Sequence, residues 1–204
     1  MTEIKNLILP NYGIIRTKVP TDLLKFLQKE SNNKRNLKKF VSGITKTEAG
    51  DRPGVAKHLY VSDEGTEKLQ KYIDTLIVEY NKLYPNYFQN IEVLNKSCPL
   101  WLGKPWFNYQ KKNEYIPLHA HEGILSYSIW IQVPKGCDTI YEWSYGTVIG
   151  KHERSRMNIT HEHEGEIVLF PAPLHHSVYP FTESNKTRIS IAGKIFLKVD
   201  NSRI

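Results

Sequence analysis

From about residue 96 onward the sequence is a succession of short, β-prone segments punctuated by proline and glycine, and this pattern limits the fold more than any other feature. Segments near residues 100–109, 114–119, 124–133, 139–148, 166–171, 174–179 and 187–197 predict strands. Many short strands at close spacing, with almost no helical periodicity, point to a sandwich or jelly roll. The first 95 residues read differently. Pro20-Thr21-Asp22 opens the amphipathic stretch LLKFLQKE, with Thr21 or Asp22 as the expected N-cap and Leu23, Leu24, Phe26 and Leu27 at helical spacing. A second helix is predicted from about Glu64 to Leu83, with Leu69, Tyr72, Ile73, Leu76, Ile77 and Tyr80 on one face. Residues 31–63 are polar and rich in Gly, Lys and Asn, which predicts loop with short strands. The expectation is a mainly β chain, α+β overall. One domain spans 1–204, with 1–95 as helical and loop support and 96–200 as a jelly-roll (double-stranded β-helix) core.

Composition removes several alternatives. The chain has 204 residues, 40% apolar and 24% charged, which suits a soluble globular protein. No apolar run approaches the roughly 20 residues that span a bilayer, so no membrane partner is expected. The N-terminus carries only a short apolar stretch, Leu7–Pro10, without a signal-peptide layout. Two cysteines, Cys98 and Cys137, are too few for a disulfide framework, and the default is a reducing cytoplasm. The net charge of +7 raises the question of nucleic acid. Much of the excess lies in residues 29–46, where Lys29, Lys34, Arg35, Lys38, Lys39 and Lys46 face a single acid, Glu30. That stretch matches no DNA-reading motif, and a solvated basic loop is the simpler reading.

The chemistry-bearing residues cluster in the β half. His119 and His121 form an HxH pair in YIPLHAHEG, and residues i and i+2 of an extended chain share a face, so both can converge on one ion. In FPAPLHHSVYP only one of the adjacent histidines can point inward; His176 shares its face with Leu174 and Val178, which favour burial. The second HxH, His161 and His163, sits among Glu162, Glu164 and Glu166 in a polar turn and reads as surface. His58 and His152 have no metal-like context. The last strand, TRISIAGKIFL, places Arg188, Ser190, Ala192 and Lys194 on one face and Ile189, Ile191, Gly193 and Ile195 on the other. An arginine on the inner side of a buried strand requires an anion, and its planar fork pairs best with a carboxylate. A serine two residues on can donate to the same group. No acid in the strand serves; a small dicarboxylic acid would.

Carrying these residues, the C-terminal half resembles the 2-oxoglutarate/Fe(II)-dependent oxygenases. WFNYQKKNEYIPLHAHEGILSYSIWIQVP followed by GEIVLFPAPLHHSVYPFTESNKTRISIAGKI is similar to a compact branch of that superfamily found in marine bacteria and their phages. The likeness covers about residues 100–197. It implies Fe(II), 2-oxoglutarate as cosubstrate and O2, with oxidation of the cosubstrate to succinate and hydroxylation of a substrate. It places His119 and His176 as iron ligands and Arg188, with Ser190, on the far carboxylate of 2-oxoglutarate. Tyr115 resembles a tyrosine that prolyl-hydroxylase-like members set against the cosubstrate. Asn108, Trp130 and Lys194 are candidates to face substrate. Nucleic-acid demethylases of the superfamily carry two arginines six apart on this strand, where Arg188 and Lys194 stand here. His121 departs from the family, which has Asp or Glu at that position. His121 can ligate, sit behind the ligands, or yield to water, and ligation is the expectation. Trp106, Trp130 and Trp143 are candidate cavity walls, although ordinary core packing is the commoner fate of such residues.

Two other readings compete. A metal cupin such as a sugar isomerase fits HAH plus GEIVLFPAPLHH, but Leu125 and Ser126 stand where its glutamate belongs, and Pro173 replaces its glycine. A non-catalytic jelly-roll binding module with incidental histidines is the second. The substrate stays open among protein side chain, small metabolite and nucleobase.

Overall fold

The protein is described from a computed structural model, which covers residues 13–39, 46–47, 50–51, 54–85, 87, 100–147 and 150–197. The Leu7–Pro10 stretch, Cys98 and residues 40–45 of the basic segment lie outside the described residues. Strand β1 (Ile15–Lys18) precedes helix α1 (Thr21–Asn32); a two-residue pair, β2 (Lys46–Thr47) and β3 (Gly50–Asp51), and β4 (Lys57–Tyr60) lead to helix α2 (Asp63–Leu83). The β half follows as β5 (Leu100–Leu102), β6 (Trp106–Gln110), β7 (Ile116–His119), β8 (Leu125–Gln132), β9 (Thr139–Gly146), β10 (His152–Ile159), β11 (Glu166–Pro171), β12 (His175–Val178) and β13 (Arg188–Leu197).

Both helices form where the apolar spacing predicts, but α1 starts differently. Its N-cap position is Pro20, with no side-chain cap, and neither Thr21 nor Asp22 caps it. Proline's fixed φ presets the entry, the Pro20 carbonyl accepts from the Leu24 N–H, and Asp22 complements the positive end of the helix instead. Helix α2 is capped by the Ser62 hydroxyl, which accepts from the Gly65 N–H at 3.0 Å. Glu30 at the end of α1 accepts from the Ser62 N–H at 2.7 Å and its hydroxyl at 2.8 Å, tying the two helices together.

The strands make two antiparallel sheets. The larger runs β1-β11-β8-β13-β6-β4 with β5 also on β13, and the smaller runs β10-β9-β12-β7. Leu23 and Leu27 of α1 and Leu69, Ile73, Leu76 and Tyr80 of α2 bury against one face of the larger sheet. That face carries Leu125, Tyr127, Ile129 and Ile131 of β8 and Ile189, Ile191 and Ile195 of β13. A second apolar cluster, with Trp130, Tyr141, Trp143, Phe170 and Val178, fills the space between the sheets. This is the jelly roll with two supporting helices.

Alternation then explains why there is a cavity. On the face of β8 and β13 turned toward the smaller sheet stand Ser126, Ser128, Ser190 and Ala192, side chains too small to fill the interlayer gap. Strand β10 was not expected from the sequence. HERSRMNI is polar apart from Met157 and Ile159 at its end, but it is an edge strand paired with β9 along its whole length. Arg156 Nε donates to Glu142 on β9 at 2.6 Å, replacing apolar burial with cross-strand ion pairing.

Candidate active site

His119 closes β7, His121 lies two residues beyond it, and His176 is on β12. His119 and His176 are direct cross-strand partners. Between this pair and the next, Val178 with Ile116, β7 carries one residue more than β12. Such a bulge reverses the facing of what precedes it, so Ile116 and His119 both line the cavity despite their odd spacing. His121 is anchored by its N–H donating to the Ala172 carbonyl at 2.9 Å. The three ring centroids lie 4.3 to 5.0 Å apart, and one ligand atom from each lies within 4.8 Å of the others. His175 is exposed while His176 is buried. His161 and His163 form a short 3-10 turn and do not join the cluster.

Two of the rings are oriented by backbone. Nδ1–H of His119 donates to the Pro117 carbonyl at 2.7 Å, and that of His176 to the Leu174 carbonyl at 2.9 Å, leaving each Nε2 with a free lone pair. Tyr141 stacks on His176 and Phe170 meets it edge-on. Burial pulls His176 down to about 3 and His121 down to about 2, and His119 is lowered for the same reason, so all three are neutral imidazoles at neutral pH.

At the far end of the cavity lies Arg188, only 2% exposed. Its Nη2 donates to the Gln110 Oε1, while Nη1 is buried and has no partner. Burial draws its pKa down to about 10, and it stays charged at neutral pH. Beside it, Asn108 Nδ2 donates to the Ser190 hydroxyl at 3.3 Å and the Trp106 indole N–H donates to Asn108 Oδ1 at 3.1 Å. Lys194 and Trp130 also line the cavity. The empty space at the site, counting its opening to solvent, is about 620 Å³.

Tyr115 is not brought to this cavity. It is 38% exposed and its N–H donates to the Gly54 carbonyl. Plain alternation from His119 would turn it inward, and the bulge in β7 reverses that. The phenol on the cavity wall is Tyr141, whose hydroxyl lies 3.1 Å from that of Ser128. Sequence reasoning also missed His58, a buried cavity residue from β4 whose pKa burial lowers to about 4, and Gln110. Gln110 was findable: it is two residues from Asn108 on the same strand face. His58 was not, since KHLY gives no metal-like pattern.

Residues 104–193 match the family described as "Putative 2OG-Fe(II) oxygenase". Over that stretch the chain is similar to the 2OG-Fe(II) oxygenases. Solved structures agree on the fold. A prolyl-4-hydroxylase from Pseudomonas putida aligns with a TM-score of 0.58 at 14% identity, covering 92% of this chain and 94% of that one. HygX from Streptomyces hygroscopicus, solved with nickel, 2-oxoglutarate and hygromycin B, aligns at 0.57 and 11% identity, covering 92% and 84%. A prolyl hydroxylase from Trichoplax adhaerens, solved with a hypoxia-inducible-factor peptide, aligns at 0.53 and 10%, covering 90% and 83%. A comparison with curated proteins finds no match. The match over residues 104–193 favours an oxygenase over the sugar-isomerase and binding-module readings.

An oxygenase of this family uses Fe(II), 2-oxoglutarate and O2. The residues present fit that requirement. Three neutral imidazoles suit Fe(II), and the unpartnered Nη1 of a buried arginine suits a carboxylate. Among the described lining residues there is no carboxylate, and the three clustered histidines are the side chains able to hold a metal there. No helix among the described residues is long and apolar enough to cross a membrane.

Proposed function

We propose that this oxygenase is a hydroxylase in which His119, His121 and His176 hold Fe(II), and Arg188 with Ser190 holds the distal carboxylate of 2-oxoglutarate. The observation that carries the reading is the pairing of two features across one cavity. Three histidine ligand atoms lie within 4.8 Å of one another, and a buried guanidinium with an unpartnered Nη1 shares the same cavity. When bound, iron and 2-oxoglutarate would supply the activation of O2: one oxygen atom would go to the cosubstrate as it loses carbon dioxide to become succinate, and the other to the substrate. The chain's own work is positional. Pro117 and Leu174 fix two imidazole tautomers, Gln110 aims Arg188, and Phe170, Trp130 and Tyr141 keep the interlayer space dry. The whole chain is read as one catalytic unit, with residues 1–95 supporting the core. A cytoplasmic setting belongs to the same proposal, supported by the buried free thiol of Cys137 and the need to keep iron reduced.

The test is anaerobic titration of 2-oxoglutarate into the Fe(II) protein, followed by the visible metal-to-ligand charge-transfer band. A saturable band with succinate formation on admitting oxygen is the expected result. Its absence in the wild-type protein would overturn the reading.

A further inference from the structure

Two cations line the cavity, and among the described residues no acidic side chain lines it with them. Arg188 and Lys194 lie six residues apart on one face of β13, and no described lining residue is acidic. Among the described residues no carboxylate forms an ion pair with Lys194. The two cations act at different ends. The charge of Arg188 is felt by Tyr141 and Cys137, that of Lys194 by His119 and His121.

Charge counting then describes the loaded cavity. Fe(II) and the 2-oxoglutarate dianion cancel, and three neutral imidazoles add nothing. Arg188 and Lys194 leave two positive charges. A ligating Asp or Glu would remove one of them; His121 does not. The distal carboxylate satisfies Arg188 locally, so the uncompensated cation is Lys194, beside the histidines where a substrate must lie. Lys194 lines the cavity together with Trp106, Ala192 and the histidines, and a cleft of one sign with apolar walls concentrates anions of the opposite sign.

We propose that the substrate of this oxygenase carries an oxyanion, a carboxylate or a phosphate, and that Lys194 grips it beside the histidine cluster. Lys194 is thus a specificity-determining residue, distinct from the cosubstrate anchor. The inference rests on the proposed function and names the class of molecule that function acts upon.

The experiment uses the anaerobic protein loaded with Fe(II) and 2-oxoglutarate, with inorganic phosphate and acetate as probes at ionic strength held constant with sodium chloride. The readouts are the position of the charge-transfer band and the melting temperature. In the wild type at least one probe should produce a saturable change that chloride does not. Lys194→Met should raise its half-saturation at least tenfold, Lys194→Arg should restore most of the response, and both variants should keep 2-oxoglutarate affinity within about threefold. A response no larger than that of chloride would overturn the proposal, as would an unaltered response in Lys194→Met. Loss of 2-oxoglutarate affinity in Lys194→Met would also overturn it, because Lys194 would then serve the cosubstrate. Failure of the underlying function shows differently: no charge-transfer band forms in the wild type before any probe is added.

Discussion

Gln110 shows how a polar residue can be spent wholly on aiming another. Its amide nitrogen donates to the Glu114 carbonyl at 2.5 Å and the Tyr179 carbonyl at 3.0 Å, so its oxygen is turned to Arg188. Losing a buried bidentate carboxylate pair costs about 2–5 kcal/mol. Arg188→Ala should therefore raise the 2-oxoglutarate dissociation constant at least tenfold with Fe(II) binding nearly intact. Arg188→Lys should recover only part, because an ammonium cannot reproduce the fork. Gln110→Leu should weaken 2-oxoglutarate by a smaller factor. Anaerobic charge-transfer titration reads all three. At the metal end, His119→Ala and His176→Ala should each abolish stoichiometric Fe(II) binding. His121→Ala should weaken it and His121→Asp should preserve it; metal content after anaerobic loading is the check. Strand alternation made Arg188, Ser190 and the histidine pair legible, because each needs only period-two geometry. Tyr115 was misread because a bulge is a two-strand event. Nothing within YIPLH shows that β12 is one residue shorter across from it.

Among the elements, the helices were the most legible, since Leu69, Ile73, Leu76 and Tyr80 recur at spacings that only a helix brings together. Ile73 is fully buried between α2 and the larger sheet. Ile73→Ala should cost about 2–5 kcal/mol of stability, as buried large-to-small changes do, measured by urea unfolding of the metal-free protein. The edge strands were the least legible. Strand β10 takes its stability from β9 and from Glu142, and β1 from β11, with Arg16 Nε donating to Glu166 at 2.6 Å. Charged side chains on an edge discourage pairing with a further strand, and they also erase the apolar period by which strands are recognised.

In the molecule as a whole, the jelly roll encloses neutral histidines between its two sheets, and this sets its response to acid. His58, His121 and His176 have folded pKa values lowered to about 4, 2 and 3 from an ordinary 6.5, burial being the first cause of each. Below about pH 6.5 the unfolded chain binds more protons than the folded one, so the stability these groups contribute is complete above that pH and is lost as pH falls toward 4 and below. The limiting slope is about 1.4 kcal/mol per pH unit for each group. The melting temperature of the metal-free protein should fall steadily from pH 7 to pH 5; a flat profile would mean that these rings accept protons in the folded state. The cross-strand pairing of His119 with His176 has a mechanical consequence as well. Strand β7 is the outermost of its sheet, and among the described strands it pairs with β12. An ion held by both histidines would rivet that loose margin to its neighbour. Loading with Fe(II) should accordingly slow amide exchange at Leu118 and His119 far more than in β8 or β13, making the active centre a seam that closes when its metal arrives.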